Sequence, residues 1–177
     1  VAKMQRRDRL IAGTTLIVRL LRWGNYAFLA LMIVALLGTW LFHAALAAQL
    51  LAKYGSVVPV DTVIGFIRIL MLIGMVCVWP IEWLLRSLSA MLDTVRTGSP
   101  FVPANARRLR TTGWALLTLQ FIDLLTGVLS WWARTWHIDV VDWRPSIIGW
   151  MCVLVAFVLA RIFDVGTALC DELEGTI

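Results

Sequence analysis

Charge is scarce in this 177-residue chain. Charged residues make up 15% of it, where a soluble domain carries about 25%. The hydrophobic share is 60% and the mean hydropathy +0.84, an excess that no single soluble core of this size hides, so an ordinary cytosolic enzyme is excluded. Histidine is confined to His43 and His137, and cysteine to the scattered Cys77, Cys152 and Cys170. These supply neither a disulfide framework nor a metal-ligand set. The chain has no CxxC, HExxH, GxSxG, P-loop or dinucleotide fingerprint. No catalytic residue, metal or cofactor is expected, and the chain reads as a non-enzymatic protein. Bis-histidine haem ligation would need two histidines facing each other at one depth of a four-helix bundle. His43 falls near the outer end of a span and His137 in an outer loop, so hydrogen-bonded or interfacial roles are expected, with a haem or chlorin contact as the alternative.

The apolar residues are grouped. A membrane span needs roughly 20 mostly apolar residues, because about 30 Å of hydrocarbon is crossed at 1.5 Å per helical residue. Between Arg22 and Lys53 thirty residues pass without a charge. Four spans are expected, at 24–50, 62–82, 111–133 and 146–168, preceded by a basic amphipathic segment (1–22). A cytoplasmic hairpin (83–110) and an acidic tail (169–177) complete a single membrane domain. The first apolar run is too long for a cleaved signal peptide and lacks a small-residue cleavage site. The fold expected is all-α: a polytopic four-helix bundle with a helical hairpin extension between spans two and three.

Basic residues set the orientation. Lys3, Arg6, Arg7, Arg9, Arg19 and Arg22 precede the first span, and Arg86, Arg96, Arg107, Arg108 and Arg110 separate the second from the third. The opposite loops hold only Lys53, Arg134 and Arg144. The positive-inside bias then puts both termini in the cytoplasm. Trp23 and Trp40 bracket span one, and Trp114 and Trp131-Trp132 bracket span three, as interfacial belts do; pigment or quinone contacts are the alternative. In the N-terminal segment Leu10, Ile11, Ile17, Val18 and Leu21 recur with helical spacing among arginines. This suits a basic helix on an anionic leaflet or a plain topogenic tail. Direct nucleic-acid binding is not expected, since the segment lacks polar length and interleaved aromatics.

Trp83, Leu84, Leu85, Leu88, Met91, Leu92 and Val95 describe a helix that leaves the membrane and stays amphipathic. Gly98 suits its C-terminus, residues 99–103 form a turn, and Pro103 is acceptable at the first turn of the next helix. That helix carries Arg107, Arg108 and Arg110 into span three, giving a stiff hairpin suited to docking a cytoplasmic partner. A faint echo links 19–31 to 107–119: six of thirteen positions are identical at an offset of 88. It marks either two duplicated hairpins or convergence on a basic-then-leucine entry signal.

Ionisable residues within spans are functional candidates because burying them in hydrocarbon is costly. Asp123, with Gln120 one turn earlier, lies about 18 Å from the inner end of span three, and Arg68 about 20 Å from the same surface. The depths match, and an interhelical Arg68–Asp123 pair is expected as a register clamp, with a transport relay or a snorkelling Arg68 as alternatives. Glu82 and Arg86 share a helix face at i,i+4, Arg161 and Asp164 are neighbours, and the acidic tail (Asp171, Glu172, Glu174) complements the basic cytoplasmic loops.

Gly98-Ser99-Pro100-Phe101, Asn105 and Arg108-Leu109-Arg110, together with Ile162-Phe163, Gly166, Leu169 and Glu172-Leu173-Glu174-Gly175-Thr176-Ile177, resemble the bacterial four-span membrane proteins of the domain of unknown function 2975 family. The resemblance covers the whole layout but is concentrated in these two segments. It implies a location in a bacterial inner membrane and a cytoplasmic partner such as a small helix-turn-helix regulator of the Cro/repressor type. It carries over no catalytic residue. The candidate interaction residues are Gly98, Pro100, Phe101, Asn105, Arg108 and Arg110, with Phe163, Gly166, Glu172 and Glu174 at the C-terminus. Asn105 and Glu172 are expected to tie the hairpin to the tail, and Arg108 or Arg110 to meet Asp171, Glu172 or Glu174. The function expected is binding or regulating a cytoplasmic partner from the bilayer. The alternatives are an accessory or scaffold subunit of a larger respiratory or photosynthetic complex, and a small transporter using Asp123 and Arg68. Homo-oligomerisation is left open.

Overall fold

The computed structural model describes the backbone of residues 2–55, 59–96, 102–138 and 143–174, and the side chains of 13–53, 55, 59–96, 102–138 and 143–169. Among the described residues there are five helices and no strand: α1 (Ala2–Leu41), α2 (His43–Tyr54), α3 (Val60–Arg96), α4 (Pro103–Thr135) and α5 (Ile147–Glu174). Four stretches are long and apolar enough to cross a membrane: Gly13–Leu41, Val60–Arg96, Pro103–Thr135 and Ile147–Leu169. The chain is an all-α polytopic membrane protein.

Helix lengths exceed the apolar runs. The 37 residues of α3 span about 55 Å, well beyond a hydrocarbon core of about 30 Å. The helix continues past Glu82 to Arg96, as its amphipathic pattern predicts, and α4 begins at Pro103, where its missing N–H costs nothing. The first apolar run behaves differently from expectation at both ends. Helix α1 has no break at Trp23, so the segment 1–22 is not a separate helix. The run 24–50 is divided instead at Phe42 (φ −107°, ψ 27°), and α2 starts at His43. No proline or charge marks that break. Half-buried His43, Leu46, Ala47 and Leu50 recur with helical spacing, and Leu50 packs on a buried cluster. Docking of this face redirects the chain.

The chain forms two compact units. The first comprises residues 1–25, 80–118 and 147–177; the second comprises 26–79 and 119–146. In α3 the division falls at Pro80, which lacks the N–H that Val76 O would accept.

The first unit packs through small side chains. Ala106 and Ala115 of α4 and Ala156 and Ala160 of α5 are buried, which lets helix backbones approach. A Cβ at Gly113 would lie 3.1 Å from the ring of Phe157, which also meets Trp114 edge-on at 5.6 Å. The second unit is built on Val63, Phe66, Ala133 and Ile138, with Leu50, Ile67, Leu70 and Leu129 around them. There α4 ends in a Schellman motif. The N–H of Ile138 reaches Ala133 O at 3.2 Å, the N–H of His137 reaches Arg134 O at 3.0 Å, and His137 takes φ 57°. The hydrophobic contact that accompanies this motif is the buried Ala133/Ile138 pair itself.

Candidate functional site

In the first unit the central group is the buried carboxylate of Glu82 on α3. Its Oε1 accepts Arg22 Nη2 at 2.7 Å and Nε at 3.1 Å, and Arg86 Nε at 2.8 Å. The i,i+4 spacing places Arg86 on the same face, while Arg22 arrives from α1. Burying a carboxylate is tolerable only with such charge-assisted partners.

The arms of the α3–α4 hairpin are cross-linked. Buried Asn105 donates Nδ2–H to Thr94 Oγ1 at 2.7 Å and accepts Arg108 Nη1 at Oδ1 at 2.9 Å. The same Nη1 reaches Ala90 O at 3.0 Å, so one asparagine and one arginine of α4 hold the last turns of α3. Asn105 thus joins the two hairpin arms; the expected tie to the tail through Glu172 lies outside the described residues. Arg110 reaches Asp164 of α5 at 2.8 Å, so Asp164 pairs across helices and not with its neighbour Arg161. Phe163 and Gly166 are half-buried on α5, and buried Thr167 donates back to Phe163 O and Asp164 O. Gly98, Pro100 and Phe101 lie outside the described residues, as do the side chains of Asp171, Glu172 and Glu174; the expected contacts between those acids and Arg108 or Arg110 fall there too.

The second unit corrects one expectation. Arg68 and Asp123 each have another partner. Arg68 donates Nε–H to Thr39 Oγ1 at 3.1 Å and Nη2–H to Thr39 O at 2.9 Å, with its guanidinium 4.0 Å from the Trp40 ring centroid. Thr39 O is one of the last carbonyls of α1, which lack intrahelical donors and attract cations. Arg68 therefore caps the break before α2. Asp123 Oδ1 accepts the indole N–H of Trp143 at 3.1 Å, and the ring lies against Gly127, where a Cβ would approach within 2.5 Å. Gln120 donates to Ser146 O at 3.3 Å, so Gln120, Asp123 and Gly127, on one face of α4, all hold the segment leading into α5. A cavity of about 340 Å³ adjoins them, lined by Leu124, Val128, Trp131 and Arg134 among others. Of the two histidines, His43 lies 3.7 Å from exposed Asp61, and His137 shapes the α4 terminus.

Sequence reasoning missed Trp143, Gly127, Thr39 and Thr94, and missed Arg22 as a partner of Glu82. Gly127, one turn after an intramembrane carboxylate, was the available signal for a close approach there. Thr39 and Thr94 sit in helix interiors like many others, and only the partner helix singles them out.

No curated protein and no solved structure matches this chain. The family model described as a protein of unknown function (DUF2975) matches residues 59–177, which takes in the hairpin, α4 and α5. The chain, with its Asn105–Thr94 hairpin clamp and its four membrane-length helices, belongs to the DUF2975 family of proteins of unknown function.

Proposed function

We propose that this is a non-enzymatic inner-membrane protein, with both termini in the cytoplasm, that binds a cytoplasmic protein partner through the α3–α4 hairpin. The observation that carries the reading is the pair of cross-links Asn105–Thr94 and Arg108–Ala90. They hold two helices that outlast the bilayer in one geometry, and a preorganised surface loses less entropy on binding. The positive-inside bias supports the cytoplasmic side. A small helix-turn-helix regulator is the partner class the family resemblance suggests.

The test is a pull-down of the full chain from native membranes in mild detergent, with residues 98–110 intact or scrambled, read by mass spectrometry. A soluble DNA-binding protein lost on scrambling supports the reading. Integral subunits that survive the scramble support the second reading, an accessory or scaffold subunit. One observation favours that second reading: only 6% of the α1 span window is buried, against 17–28% in the other three, and Gly13, Gly24 and Gly38 of α1 face open space. The transport reading has no such support, because Arg68 and Asp123 hold other groups.

A further inference from the structure

The hydroxyls of α4 behave alike, with one exception. All five threonines of the helix donate O–H to a carbonyl three or four residues back. Ser130 makes no such bond, nor any other among the described residues. It is only 7% exposed, and a buried hydroxyl without an acceptor is costly.

Ser130 lines the cavity of about 340 Å³ in the second unit, a volume within the range of small-ligand sites. Two indoles, Trp131 and Trp143, line it too, with Leu124 and Val128. The Nε1–H of Trp143 is already donated to Asp123, so that ring offers the cavity π surface and no donor. Arg134 adds a positive charge to the lining, which disfavours the quaternary ammonium that aromatic cages otherwise take. Trp131, Trp132 and Trp136 gather at this end of α4, as rings at a membrane–water interface do.

We infer that this cavity binds the ring of a membrane quinone, with a carbonyl oxygen accepting the Ser130 O–H and the ring lying against Trp131 and Trp143. A flat conjugated ring gains from indole neighbours beyond the area it buries, and its carbonyl supplies the acceptor that Ser130 lacks. A saturated acyl chain makes use of neither feature. The quinone's apolar tail leaves past Val128, which is 62% exposed. Binding alone is assigned, and it is independent of the hairpin's partner, because the hairpin belongs to the first unit and the cavity to the second.

The experiment is equilibrium binding to the full chain in mild detergent, corrected for uptake by protein-free micelles. The probes are duroquinone, whose fully methylated ring resists thiol addition, and durene, the same methylated ring without carbonyls. The intact protein takes up duroquinone saturably and about fivefold more tightly than durene, as one hydrogen bond implies. Ser130→Ala weakens duroquinone binding by that same factor and leaves durene binding unchanged. Val128→Trp, which fills the mouth from an exposed position, abolishes both while the thermal midpoint holds. Because the Ser130 hydroxyl holds no other described group, Ser130→Ala decides the matter even where Val128→Trp does not fold. Equal affinity for the two probes overturns the assignment, as does duroquinone binding that survives either substitution. Displacement of duroquinone by an equimolar phospholipid overturns it in favour of a lipid chain.

Discussion

The indole of Trp143 occupies the space a side chain at Gly127 would need: a Cβ built there would lie 2.5 Å from the ring. The same indole donates its Nε1–H to Asp123 Oδ1 at 3.1 Å. Asp123 and Gly127 are one helical turn apart and share a face of α4. The carboxylate therefore orients the ring, and the glycine lets it close on the helix. An acid on a membrane-length helix has its donor in a tryptophan that lies between α4 and α5.

Gly127→Ala should destabilise the protein by about 1–3 kcal/mol, the usual range for overpacking, despite alanine's better helix propensity. With Trp143→Ala in the background the sign should reverse, because the obstruction is gone and Gly→Ala in a helix contributes about 1 kcal/mol. Thermal midpoints of the four proteins in one detergent check this. A cost that persists without Trp143 would show that the ring is not the obstacle.

Asp123→Asn keeps an acceptor oxygen for the indole, whereas Asp123→Ala removes it. The alanine variant should lose about 1.5–3 kcal/mol, typical of a hydrogen bond to a charged group, and the asparagine variant distinctly less. Tryptophan emission should shift in Asp123→Ala as Trp143 is released. Were Asp123→Asn to cost as much as the alanine, the charge would matter beyond this bond.

The Glu82 cluster predicts an order of effects. Glu82→Ala should be the most damaging, at about 1.5–3 kcal/mol, because it removes the shared charged acceptor of all three hydrogen bonds at once, while the released guanidiniums remain partly exposed. Arg86→Ala should cost about 1 kcal/mol or less, since that side chain is 62% exposed. Arg22→Ala should fall between them, its side chain being 36% exposed. Chemical or thermal denaturation of the three variants gives the ranking, and Arg86 proving worse than Glu82 would contradict it.

His137 holds a left-handed conformation at the end of α4, with φ 57°. Glycine takes that conformation without the Cβ penalty, so His137→Gly should stabilise the protein by about 1 kcal/mol. A gain in thermal midpoint marks the histidine as a cap residue. A loss would mean that the imidazole has a partner worth more than the backbone strain.

Much of the fold was legible in the sequence because transfer from water to hydrocarbon depends on composition along a segment. Four membrane-length helices, the continuation of α3 past Glu82 and the entry of Pro103 into α4 follow from apolar runs, amphipathic spacing and proline geometry. The break at Phe42 does not. Nothing between Trp40 and Ala45 disfavours a helix strongly enough, and the division depends on Leu50 finding the Val63/Phe66 cluster and on Arg68 reaching Thr39 O.

The polar sites divide in the same way. That Arg68, Asp123, Glu82, Asn105 and Arg108 need partners follows from the sequence, since ionisable and amide groups in apolar surroundings are costly alone. Which partners they take was decided by the tertiary structure. Depth matching made Arg68 and Asp123 plausible companions, but depth is one coordinate, and facing also depends on rotation about each helix axis. Composition determined that this chain enters a membrane, whereas helix rotation and packing decided that Asp123 meets Trp143, Arg68 caps α1 and Asn105 locks the hairpin. A side chain's hydrophobicity is its own property, but a hydrogen bond requires two groups within about 3 Å, and only packing brings them there.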